Sequence, residues 1–147
     1  MTSKEYLKTF RDLGLRIQSL REEIAAVEGE RDSVTVSMDG MPGSGKIGDK
    51  TGEVAARLAD KLTEMKEDLS DLTYTYWNRR QVIVKQIDSL DDAVSARILM
   101  LRYVNGYTWE QIAVEMNYSY VHTCRLHGYA LQQFYKRYQD VIECYTK

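Results

Sequence analysis

Three groups of residues have types and spacings that invite chemistry. Gly40-Met41-Pro42-Gly43-Ser44-Gly45-Lys46 carries the glycine spacing of a phosphate-cradling loop. That chemistry needs a Ser or Thr after the lysine to hold magnesium, and Ile47 stands there. It also needs a strand inside an α/β sheet; Val34 to Met38 alternates like one, but the sequence offers no second strand to pair with it. The segment reads as a loop. His122, Cys124 and His127 suggest a metal site. On a helix advancing about 100° per residue, His122 and Cys124 point to nearly opposite sides, so three ligands cannot converge. Arg125 is the third case: on its helix face it alone can make a bidentate contact to guanine. No Ser/His/Asp arrangement or paired-carboxylate site stands out. The expectation is a protein that is not an enzyme, with no cofactor and no metal.

The elements that must position these residues are helical. Tyr6, Phe10, Leu13, Ile17, Leu20, Ile24 and Val27 repeat at spacings of four and three, the a/d pattern of a coiled coil. Ser3 and Tyr6 begin this helix, and Gly29 sits where it should fray. Gly14 is an internal weak point, costing about 1 kcal/mol relative to alanine. A second helix is expected from about Gly48 to Leu90. Ala55, Leu58, Leu62, Met65, Leu69, Leu72 and Tyr76 keep its heptad, and Ile83, Ile87 and Leu90 continue the apolar face. Such a helix spans on the order of 55–60 Å and needs a partner along its stripe. The expected fold class is therefore all-α, with residues 1–90 forming a long antiparallel helical hairpin, a coiled coil. Its connection, Ser33 to Lys50, is Gly/Ser/Asp-rich and holds the only proline, Pro42. A homodimer through the hairpin's remaining exposed face stays open.

Composition narrows the class. Of 147 residues, 44% are hydrophobic and 29% charged, which is globular rather than disordered. Cys124 and Cys144 are too few for a disulfide framework, and no signal-peptide or membrane-length apolar run is present. The expected location is the cytoplasm. Net charge is −2, and residues 91–147 hold six basic and six acidic residues. That balance gives only a small salt-dependent phosphate attraction.

Residues 91–147 read as a head with a helix-turn-helix. Asp91 or Asp92 caps a helix carrying Val94, Ile98, Leu99, Leu101 and Tyr103, and Asn105-Gly106 stops it. Thr108 with Gln111 forms a capping box for a short helix whose inner face is Trp109, Ile112, Ala113 and Met116. Asn117 tolerates the left-handed turn, Tyr118 fills the corner, and Leu126 packs back from a final helix over about Ser119 to Tyr138. That helix carries Thr123, Leu126, Ala130, Phe134 and Arg137 on one face. In a helix-turn-helix the second helix enters the major groove. The residues expected to contact DNA are Thr108, Ser119, Tyr120, Val121, His122, Cys124, Arg125 and His127. Tyr120, Val121 and Cys124 are unusual base readers, so a protein-binding face is the competing reading. Eight of the 11 tyrosines lie after residue 91, where they fit as core-edge residues.

The runs Leu101-Arg102-Tyr103, Tyr107 to Ala113, Met116 to Ser119 and Arg125 to Leu131 resemble phage and prophage regulators of low-GC Gram-positive bacteria, of the ArpU and RinA type. These end in a sigma-factor region-4-like helix-turn-helix, and much of that family carries only a domain-of-unknown-function label. The resemblance extends through the hairpin, and Asn117 and Thr123 depart from its pattern of a turn glycine and an aliphatic residue. It implies a DNA-binding transcription regulator of late phage genes, with double-stranded DNA as partner and host RNA polymerase as a further contact. Two alternatives stay open: a protein like a small terminase subunit, and a degenerate helix-turn-helix that inhibits a host factor without touching DNA.

Overall fold

The computed structural model describes residues 1–36 and 48–145. The chain is all-α: α1 (Ser3–Val36), α2 (Gly48–Asp88), α3 (Ala93–Leu99), a π-helical turn (Met100–Val104), α4 (Trp109–Met116) and α5 (Tyr120–Cys144), with no strand among the described residues. The glycine-rich 40–46 segment lies outside them, as does the end of the strand-like stretch. Residues 34–36 of that stretch are helical. Gly29 does not end α1, which continues for seven residues beyond it. A single exposed glycine weakens a helix without breaking it.

The start of α1 is set by a reciprocal cap. Glu5 N–H donates to Thr2 Oγ1 at 3.2 Å, and Thr2 N–H donates to Glu5 Oε2 at 2.7 Å. These bonds from Thr2 hold the Glu5 carboxyl below its usual pKa. The pattern is the capping box that Thr108 and Gln111 also form at α4.

Two compact units divide the chain, and α1 and α2 contribute to both. The first comprises Met1–Gly14 and Thr75–Lys147. Its main cluster joins Tyr6, Leu7 and Phe10 of α1, Ile83 and Ile87 of α2, Leu99 of α3, Tyr103, and Ala130, Phe134 and Ile142 of α5. The boundary expected after residue 90 runs through this cluster. The C-terminal helices do not close their own core; the ends of the hairpin close it for them. Within this unit, Tyr6 Oη donates to Gln86 Oε1 at 3.2 Å, and the Phe10 and Tyr76 rings stack at 5.1 Å. Partners fall along α2 as residues rise along α1, so the pairing is antiparallel. Gly14 has a packing reason: a Cβ there would sit 3.3 Å from the Tyr76 ring.

The second unit, Leu15–Tyr74, packs Ile24 and Val27 against Leu62 and Met65, with Leu20, Leu58 and Leu69 at the edges. Glu28 and Lys66 form an ion pair at 2.6 Å. Both partners are substantially exposed, so the pair adds little to stability.

In the first unit, α3 and the π-helical turn form a wedge between two clusters. Leu99 and Tyr103 face the main cluster; Ile98 and Leu101 face a smaller one with Ile112. Asp92 caps α3 through bonds from Val94 N–H and Ser95 N–H. The wider turn is closed by Asn105 N–H to Met100 C=O at 3.0 Å, five residues back. Gly106, at φ +75°, then turns the chain toward α4.

Candidate functional site: the corner between α4 and α5

The corner is assembled from a short run of local rules. Ile112 and Ala113 are buried, and Met116 and Leu126 pack around the Ile98–Leu101–Ile112 cluster. Asn117 takes the left-handed conformation (φ 56°, ψ 43°). Its N–H bonds to Val114 C=O at 3.1 Å, and Tyr118 N–H bonds to Ala113 C=O at 2.9 Å. This is the Schellman pattern, with asparagine doing what glycine does more cheaply. Ser119 restarts the chain as an N-cap: its hydroxyl accepts from His122 N–H at 3.2 Å. Three residues, Asn117 to Ser119, thus connect the two helices.

Thr123 is fully buried beneath this turn and donates its hydroxyl to Ser119 C=O at 2.9 Å. Back-bonding to the preceding turn lets a hydroxyl stand where an aliphatic side chain was expected. Further along, α5 is non-helical at Tyr138 (φ −123°, ψ 24°) and continues to Cys144, six residues past its expected end. The bend accompanies a hydrogen bond between the Tyr138 and Ser89 hydroxyls and buries Ile142 in the main cluster. Arg137, expected on the packed face, is exposed and pairs with Asp91 at 3.6 Å.

Seven of the eight residues expected to contact DNA are exposed: Thr108, Ser119, Tyr120, Val121, His122, Cys124 and Arg125. Thr108 and Ser119 are the helix caps. Tyr120 and Val121, at 50% and 61% exposure, open the outer face of α5, and Cys124 and Arg125 follow one turn later. Arg125 makes no ion pair among the described residues. His122 is turned toward the corner, its ring edge-on to Tyr118 at 4.9 Å.

His127 lies elsewhere, and the expectation for it is corrected. It is buried, with Nε2 3.0 Å from the Tyr103 hydroxyl and its ring 4.6 Å from that of Trp109. Burial lowers its pKa from 6.5 to about 4, with the fields of Lys4 and Arg102 adding to the effect. It is neutral at pH 7 and cannot serve as a phosphate-binding cation. The signal was present in the sequence: 127 stands four residues after Thr123 and three before Ala130, on the inward stripe.

Arg102, not expected at the site, braces the start of α4. It donates to Tyr107 C=O at 2.8 Å, and its guanidinium lies 4.4 Å from the Trp109 ring centre. Charge is also distributed differently from a cut after residue 90. The unit holding the corner carries 12 Lys/Arg and nine Asp/Glu, while Leu15–Tyr74 carries eight and 13. The unit with the corner is net positive, and the other is net negative.

These features define an all-α chain in which α4 and α5 form a tight helix–turn–helix corner with an exposed second-helix face. The chain belongs to the family described as protein of unknown function DUF1492, whose model matches residues 46–134. The match begins two residues before α2, ends at Phe134 and includes the whole corner. No curated protein and no solved structure matches the chain.

Proposed function

We propose that this chain is a DNA-binding transcription regulator that places the first two turns of α5 in the major groove. The observation that carries the reading is the three-residue turn at left-handed Asn117, which holds Tyr120, Val121, Cys124 and Arg125 on one open face. A major groove admits a helix of this size, and helix-turn-helix proteins read bases with the N-terminal part of the second helix. The net positive charge of this unit supports the reading. In it, Arg125 reads guanine, Ser119 and Thr108 contact phosphate, and Val121 meets a thymine methyl.

The sequence resemblance to sigma-region-4-like activators supplies the rest: regulation of late phage or prophage genes in the bacterial cytoplasm, with host RNA polymerase as a further partner. No helix of the described residues is long and apolar enough to cross a membrane. Homodimerisation is assigned to exposed apolar residues of the hairpin such as Leu15, Val54 and Tyr74. A second reading has its own support. Val114, at 82% exposure, and Tyr118, Tyr120 and Val121 make the corner unusually apolar, which suits a protein partner.

Sequencing of genomic DNA captured by the protein, repeated with Arg125→Ala, decides between them. DNA recognition gives one or a few sites near late promoters that the variant loses. Uniform weak capture unaffected by the substitution overturns specific regulation. No capture at low salt leaves the protein-partner reading.

A further inference from the structure

Lys4, Lys8 and Arg11 follow one another at helical spacings of four and three residues, so they share a face of α1 within about 60°. The start of that face lies beside the middle of α5. Ser3 Oγ donates to the Leu131 carbonyl of α5 at 3.1 Å, and Lys4 lines an open groove of about 470 Å³ together with Leu131 and Lys136. Lys4 acts electrostatically on His127, and Arg11 on Arg102, the residue bracing the first turn of α4. Lys4 thus lies beside α5, and Arg11 acts on the π-helical turn that leads into α4.

Lys4, Lys8 and Arg11 form no ion pair among the described residues. Glu5 bonds to Thr2 rather than to a lysine and Asp12 forms no ion pair among those residues, so Met1–Gly14 keeps three basic against two acidic side chains. A row of cations without ion pairs, starting beside α5, suits a polyanion with regularly spaced charge. We propose that Lys4, Lys8, Arg11 and Arg102 form a second, sequence-independent contact with the DNA backbone, flanking the contact made by α5. The inference rests on the DNA-binding reading and extends it to α1, which lies outside the matched family segment.

Each neutralised phosphate steepens the salt dependence of binding by about 0.9 in log–log slope. A Lys4→Gln, Lys8→Gln, Arg11→Gln variant of the full chain is compared with the parent and with a matched Arg16→Gln, Arg21→Gln, Lys61→Gln variant. Binding is measured by fluorescence anisotropy between about 50 and 200 mM salt, on the captured site and on a scrambled duplex. The α1 variant is expected to lose about 2 to 3 from the slope, equally on both duplexes, while the matched variant keeps the parental slope. Circular dichroism melting confirms folding of each protein. An unchanged slope in a folded α1 variant, or an equal loss in the matched variant, overturns the α1 contact while DNA binding stands. A parent that binds neither duplex overturns both.

Discussion

His127 offers the sharpest quantitative test, because its burial couples the seat of α5 to pH. Its folded-state pKa is about 4, against about 6.5 when free in the unfolded chain. The unfolded chain therefore takes up a proton as pH falls through 6.5, whereas the folded chain resists until about 4. Stability from the neutral imidazole is complete above pH 6.5 and is lost as pH falls toward 4. At about 1.4 kcal/mol per unit of pKa the loss is about 2 kcal/mol by pH 5 and approaches about 3 kcal/mol near pH 4. Carboxylates titrate in the same range, so the comparison must be with His127→Gln, which keeps a polar partner for Tyr103 but no titrating ring. Urea melts at pH 7, 6, 5 and 4.5 should show the parent losing about 2 kcal/mol more than the variant by pH 5. NMR of the imidazole should give a midpoint well below 6. Parallel stability curves for the two proteins, or a midpoint near 6.5, would refute the burial argument and return His127 to the solvent face.

Asn117→Gly should leave stability unchanged or raise it, because glycine takes the left-handed turn freely, whereas Asn117→Val should cost at least about 1–2 kcal/mol; thermal melts distinguish the two. Leu7 lies fully buried in the main cluster, so Leu7→Ala should cost about 2–5 kcal/mol, while Leu15→Ala, at a half-exposed position, should stay within about 0.5 kcal/mol, both by urea melts. Ser119→Ala removes the cap of α5 and should cost about 0.5–2 kcal/mol, with faster hydrogen exchange at His122 N–H.

Most of the fold could be read from periodicity because each long helix must bury one stripe along its whole length. All seven heptad positions named on α1, and all ten apolar positions named on α2 and just past its end, are buried or half-buried. The short head elements were legible for a different reason. Caps and turns are local chemistry, and Asp92, Thr108–Gln111, Asn117 and Ser119 each act within four residues of their own position. Where a property depends on contact between distant segments, the sequence is silent. Leu7 stands off the heptad and is buried only because α3 and α5 share the cluster at that end of the hairpin. The bend at Tyr138 accompanies a bond to Ser89, 49 residues away.

The candidate site divides along the same line. Its exposed face follows from the helical register once Ser119 is placed, which is why seven of the eight expected residues are on the surface. His127 was misplaced because its polarity was read before its register: a histidine in a reading helix suggests a contact, but 123, 127, 130 and 134 form one inward stripe. Charge was the least legible property. A cut after residue 90 makes the head neutral, but the folded unit recruits Met1–Gly14 and Thr75 onward and so acquires Lys4, Lys8, Arg11, Arg79, Arg80 and Lys85. Electrostatic footprints belong to surfaces, and a surface is defined only when the pairing of distant helices is known. The neutrality of residues 91–147 thus reflects where the chain is cut, and the folded unit carries 12 basic against nine acidic residues.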